Sequence, residues 1–276
     1  METIHIFDEF KQSPSEITTE EKHNKRVKLE PLIFDILKTK YGTILNNAYN
    51  SYEPPLQNKE KGYILIIERR VHENLRFILH NAAWAAAAGW CIGFICSDVN
   101  EEYCKTISGG KAFVLPIFKG SPDRDEARSE YNRILKDPEF YRGLPSENLL
   151  FLQTDSYLRK QVPDYLADYD YIGAPFAWDE MNAGGGTTFR KRSVMVDICE
   201  RFREDIPSED LFISKGIREL NYRMPDFTDS VTYFTESCIY EDPIAVHQWW
   251  TFFWPGVEDA ELFFKKLLTL EYLDYA

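Results

Sequence analysis

Residues 63–70 read Tyr-Ile-Leu-Ile-Ile-Glu-Arg-Arg and open with the first strongly apolar run of the chain. The apolar run Tyr63–Ile67 is short, rich in β-branched residues and closed by three charged ones, as a strand buried on both faces should look. Similar runs follow at Cys91-Ile-Gly-Phe-Ile-Cys96, Ala112-Phe-Val-Leu-Pro-Ile-Phe118 and Asn148-Leu-Leu-Phe-Leu152. The first two strands are separated by a helical stretch over residues 73–88. Strands alternating with helices predict an α/β fold with a mostly parallel central sheet flanked by helices. In such sheets ligands sit beyond the carboxyl ends of the strands. Glu68 to Arg70, Ser97 to Asn100 and Gln153 to Ser156 are therefore expected to line one cleft.

Upstream, residues 1–58 are charged and carry one expected helix, from about Glu20 through Tyr41. Leu29, Leu32, Ile33, Ile36 and Leu37 share a face, and Gly42 is read as the stop. This segment is taken as a helical N-terminal extension, with Pro54-Pro55 as the break before a single domain over 59–276. At the other end, Val257 to Leu273 reads as an amphipathic helix packed on the body.

The chain has 276 residues, is 44% hydrophobic and has a mean hydropathy of -0.40, which suits a globular protein with a real core. Its formal charge of -13 argues against duplex nucleic acid as a partner, because affinity for phosphate backbones comes from clustered cations. No run approaches the ~20 apolar residues that span a bilayer, and Met1 to Glu20 holds no signal-like apolar segment. The five cysteines, Cys91, Cys96, Cys104, Cys199 and Cys238, show no C-x-x-C spacing and are read as reduced, mostly buried thiols. Both features lead to the expectation of a cytoplasmic protein.

Four short stretches carry chemistry: Gln153-Thr-Asp155, Gly184-Gly-Gly186, Ser208-Glu-Asp210 and His247. Singly, each has an ordinary structural reading. An Asp closing a strand serves as a cap, a triple glycine as a loop, and acids after Ser208 as a helix start favoured by the macrodipole. A histidine beside Trp249 and Trp250 is ordinarily a packed residue. The glycines fit neither a Walker A nor a G-x-G-x-x-G pattern.

In combination and order, the four resemble the D-x-D element, glycine loop, x-E-D element and C-terminal histidine of GT-A glycosyltransferases. Tyr169-Asp-Tyr-Ile-Gly-Ala-Pro175 and Thr187-Thr-Phe-Arg-Lys-Arg192 are similar to an uncharacterised glycosyltransferase-like family of that fold. The resemblance runs from about Tyr63 to Pro255. It implies an enzyme that moves a sugar from a nucleotide-diphosphate donor to the hydroxyl of a glycan or protein-linked glycan acceptor, with inversion.

By that resemblance Asp155 and His247 hold a Mn²⁺ or Mg²⁺ ion, and the imidazole favours Mn²⁺. Glu68, Arg69, Asp98, Gln153, Thr154, Asp155 and Gly184, Gly185 and Gly186 are expected around the donor. Asp210 is the expected general base, with Glu209 beside it to raise its pKa or to serve instead. The first acid of D-x-D is Gln153 here, so the donor phosphates are expected to supply much of the metal's coordination. The alternative is a metal-independent form in which Arg69, Arg190 or Arg192 neutralises the phosphates. Trp178 offers a stacking face for an acceptor. Two other classes stay open: a glycoside hydrolase using Asp155 and Asp210 as its carboxylate pair, and a non-catalytic relative that binds sugar nucleotides.

Overall fold

The apolar runs form strands β1 (Gly62–Ile67), β2 (Trp90–Ser97), β3 (Phe113–Phe118) and β4 (Asn148–Gln153). The computed structural model describes residues 6–7, 19–56, 59–86, 89–177, 179–238, 240–252, 259–271 and 273. Trp178, Trp254 and Val257 lie outside these. With β6 (Tyr171–Phe176) and β7 (Asp179–Lys191), these four strands make one six-stranded sheet of order β3-β2-β1-β4-β7-β6. The β3–β2, β2–β1 and β1–β4 pairings are parallel, whereas β7 runs antiparallel to both β4 and β6. The sheet is thus mostly parallel, as the alternating pattern predicts, within a single α/β body.

Side-chain alternation divides the core in two. Ile64, Ile66, Ile92, Phe94, Leu150 and Leu152 face one layer, and Leu65, Ile67, Ile95, Leu149 and Phe151 the other. The first layer is covered by α1 (Thr19–Ser51), α2 (Leu75–Ala85) and α9 (Ala260–Leu267). The second is covered chiefly by α4 (Arg124–Ile134), α5 (Pro138–Arg142), α6 (Arg192–Arg201) and α7 (Glu209–Glu219). Helix α3 (Glu101–Ser108) ends on Gly109 in the left-handed region.

Helix α1 does not stop at Gly42 but continues through Ser51. Leu29, Ile33, Phe34, Leu37, Tyr41, Leu45 and Tyr49 form one buried stripe along it. Each such residue contributes roughly 1.5–3 kcal/mol on burial, so Leu45 and Tyr49 together outweigh the ~1 kcal/mol cost of one helical glycine. The stripe belongs to the main core: Phe34 meets Trp250 edge-on at 5.9 Å, and Tyr41 Oη accepts a hydrogen bond from Leu270 N at 3.1 Å.

A second sheet of three strands, β5 (Ser156–Leu158), β9 (Ala245–His247) and β8 (Phe234–Thr235), lies past the end of β4. In it Ser156 pairs with His247, antiparallel. This register brings the last residues of the β4 turn beside the C-terminal histidine. Helix α8 (Phe227–Tyr233) leads into β8. The five thiols are free; four are buried and Cys238 is half-buried.

Candidate functional site

A cavity of about 690 Å³ opens at the carboxyl ends of β1 and β4, where a parallel sheet holds its ligands. Asp155, Glu209, Asp210 and His247 all line it, together with Glu68, Arg69, Gln153, Thr154, Gly185 and Gly186. Residues far apart in sequence thus share one hollow.

Asp155 and His247 meet through the Ser156–His247 strand pairing. Asp155 Oδ1 lies 3.3 Å from His247 Nε2, and His247 Nδ1 lies 3.0 Å from Glu236 Oε2. Gln248 Nε2 donates to Asp155 Oδ2 at 2.7 Å. Burial alone would lower the pKa of His247, but the Glu236 and Asp155 carboxylates outweigh it and raise it to about 9. Burial would likewise raise Asp155, and the charges of His247 and Arg26 hold it well below the usual carboxylate range instead. The two carboxylates thus favour the protonated ring, while the Gln248 amide nitrogen also lies 2.8 Å from His247 Nε2.

Gly184, Gly185 and Gly186 are not in a loop. They sit within β7, where Gly184 pairs with Ala174 across a register shift. Their lack of side chains is a packing requirement, because this strand runs against the acidic cluster. A Cβ on Gly186 would fall 2.2 Å from the His247 ring, and one on Gly185 would fall 2.7 Å from Glu209 Oε1. On Gly184 it would meet Ala174 O at 2.7 Å and Glu236 Oε2 at 2.9 Å.

Ser208 caps α7, which carries Glu209 and Asp210 in its first turn. The two acids have separate fates. Glu209 is buried and faces Arg190, whose Nη1 lies 3.1 Å from Glu209 Oε2. Arg190 is itself fully buried and also donates to Tyr141 Oη and Thr188 Oγ1. Asp210 is half-buried at the cavity wall and accepts from Ser208 Oγ and from Leu211 N. Burial raises its pKa against the pull of those two hydrogen bonds.

The Glu68–Arg70 turn is built around Glu68. Its carboxylate accepts from Arg69 N, Arg70 N, the Arg70 guanidinium and Thr154 Oγ1. Ser97 and Asn100 brace that turn from behind: Ser97 Oγ donates to Arg69 O, and Asn100 Nδ2 donates to Glu68 O and Arg70 O. The 97–100 stretch therefore supports the cavity without lining it. Asp98 faces away and accepts from Gly120 N at 2.9 Å. Gln153 lines the cavity and donates to Tyr131 Oη at 3.1 Å.

Of the three arginines expected to neutralise phosphate, only Arg69 lines the cavity. Arg190 is spent on Glu209, and Arg192 binds Leu144 O and Glu147 away from the cavity. Arg26, Arg70, Arg124 and Arg128 line it instead, along with Lys22, Glu30, His72 and Glu236. Arg26 and Glu236 stand outside every recognised motif, so only the folded chain reveals them.

Among the described residues, no group of three or more His, Cys, Asp or Glu is placed to hold a metal ion. Asp155 and His247 form a pair. A 3.3 Å spacing fits adjacent ligands of an octahedral ion, which lie about 3 Å apart when each bond is ~2.1 Å. Glu236 on the far ring nitrogen is the partner a ligating histidine ordinarily has.

A family model described as "Protein of unknown function (DUF5672)" matches residues 122–247, which is less than half of the chain. The matched stretch contains Asp155, the β7 glycines, Glu209, Asp210, Glu236 and His247, and leaves out α1 and β1. No curated protein matches the chain.

Proposed function

We propose that the protein is a GT-A-like glycosyltransferase that moves a sugar from a nucleotide-diphosphate donor to an acceptor hydroxyl. The observation that carries this reading is the convergence of Asp155, Asp210 and His247 on one cavity bordered by arginines. A nucleotide diphosphate gathers negative charge as it leaves, and fixed cations stabilise that charge most where water is scarce.

In this reading Asp210 is the base. Its raised pKa suits proton abstraction, and its place on the cavity wall leaves it accessible to an acceptor. The acceptor O–H gives its proton to Asp210 while the oxygen attacks C1 of the sugar. The C1–O bond to the phosphate breaks, and its electron pair leaves with the nucleoside diphosphate. Attack opposite the leaving group inverts the anomeric centre. In this reading Glu209, held by Arg190, positions the start of α7, and that pairing supports Asp210 rather than Glu209 as the base.

Asp155 Oδ1 and His247 Nε2 would hold Mn²⁺ or Mg²⁺ once the ring gives up its proton, and phosphate oxygens would complete the ligand set. Such an ion supplies Lewis-acid stabilisation of the leaving diphosphate.

Thermal unfolding with UDP or GDP, each with and without Mn²⁺, tests the assignment. One nucleotide should raise the midpoint, since a ligand that binds only the native state stabilises it. A panel of nucleotide sugars should then yield an inverted product in the wild type and none in Asp210→Ala. Absence of any nucleotide-dependent shift overturns the proposal and favours a carboxylate-pair hydrolase.

A further inference from the structure

The cavity has two chemically different walls. One is acidic: Asp155 in the turn between β4 and β5, Glu209 and Asp210 on α7, and Glu236 after β8. The other is basic: Arg26 on α1 and Arg69 after β1, which lie outside the family-matched segment, with Arg124 and Arg128 on α4, which lie inside it. Among the described residues no ion pair joins the guanidinium of Arg69, Arg124 or Arg128 to a carboxylate, although Arg69 N donates to Glu68, whereas the Arg26 guanidinium contacts Asp155 directly.

Arg26 Nη2 lies 2.6 Å from Asp155 Oδ2, and Arg26 Nε lies 3.4 Å from Glu30 Oε2. Its side chain is 31% exposed, so the guanidinium borders the cavity rather than being sealed in the core. Glu30, one turn on, faces His72 Nε2 at 3.5 Å and accepts from Asn74 Nδ2 at 3.4 Å. Asn74 is fully buried and also donates to Thr154 O. A continuous polar chain therefore ties this turn of α1 to the turn that presents Asp155.

We propose that Arg26 is a diphosphate-binding residue: it neutralises Asp155 while the site is empty and passes to phosphate oxygens when a nucleoside diphosphate enters. The inference rests on the nucleotide-sugar reading above. A guanidinium suits this exchange because its planar fork matches phosphate and carboxylate alike. Its release leaves Asp155 Oδ2 with the Gln248 amide as its remaining partner at the moment the anion arrives. Arg69, Arg124 and Arg128 line the same cavity, so with Arg26 four guanidinium groups are available to an anion of several charges.

Calorimetric titration of the 276-residue chain with UDP, GDP, inorganic pyrophosphate and uridine tests the proposal in wild type, Arg26→Ala and Arg26→Lys. Alanine should weaken the diphosphate that the wild type binds, and pyrophosphate, by 10-fold or more in each case, which is at least ~1.4 kcal/mol. Lysine should cost less, and uridine should bind all three proteins alike. Lysine also serves as the readout if the alanine variant fails to fold, since it keeps the charge on α1. Diphosphate affinities within twofold of wild type in both variants overturn this inference and leave the transferase reading standing. An equal loss for uridine also overturns it, because Arg26 would then act only by holding α1 in place. Failure of wild type to bind any diphosphate removes both.

Discussion

Asp155 Oδ1 stands 3.3 Å from His247 Nε2, a contact fixed by the antiparallel pairing of Ser156 with His247. Each residue holds the other in its charged form. Asp155→Asn removes one of the two carboxylates that keep the ring protonated. The His247 pKa in the metal-free protein should fall below about 9, which NMR titration of the ring reads directly. Sugar transfer should drop by about 100-fold or more, the scale of one oriented charge in a dry site. A ring that still titrates near its wild-type value would show that Glu236 alone sets its charge.

Asp210→Asn and Glu209→Gln should fail in different ways. The first removes the half-buried carboxylate proposed as the base, so kcat should fall by about 10²–10⁴ with little change in Tm. The second leaves Arg190 charged and unpaired in the core, which costs about 3–5 kcal/mol. Denaturant unfolding should place the loss of stability in the Glu209 variant. Equal stability loss in both would mean that the two acids share one structural task.

Gly186→Ala should displace the His247 ring, because the added Cβ would lie 2.2 Å from it. Overpacking of this kind costs about 1–3 kcal/mol. Since the displaced ring sits on Asp155, transfer should fall far more than stability does. Gly143→Ala is the control: the nearest atom to its added Cβ is 3.5 Å away, in ordinary contact. If Gly186→Ala proves as silent as the control, the close approach of β7 to the ring is wrong.

Burial, reinforced by the charge of Asp155, raises Glu30 to about 7 against the pull of Arg26. A carboxyl with a raised native pKa binds its proton more tightly folded than unfolded. Its stabilising contribution is therefore complete below pH ~4.5 and is lost as pH climbs through about 7. The change is on the order of 3 kcal/mol. Glu30→Gln, which cannot titrate, should flatten the decline of ΔG over this interval. An unchanged slope would place the titrating group elsewhere.

The parallel strands were legible because residues buried on both faces leave near-continuous apolar runs, as at Tyr63–Ile67 and Asn148–Leu152. Strand β7 was not. Its middle is Gly184-Gly-Gly186, a composition that signals a loop until the neighbouring ring and carboxylates are seen to require it. Asp155, Asp210 and His247 could be chosen from their order along the chain, and the fold places all three on one cavity. Asp98 could not be separated from them, because a residue ending a strand carries no mark of which way its side chain turns. Arg26 was hidden for another reason. One arginine in a 33-residue helix looks like any solvated charge, and its partner Asp155 is distant in sequence.

The cavity draws on α1 and on β9, near opposite ends of the chain. A protein emerging from the ribosome could form the β1–β4 sheet early, yet it would have no finished binding hollow until His247 had been synthesised and β9 had added to β5. Closing so long a loop of chain is slow compared with local helix formation. Ligand capture should thus be among the last properties the nascent chain acquires, and a fragment limited to residues 122–247 would lack the part of the wall that α1 and the turn after β1 supply.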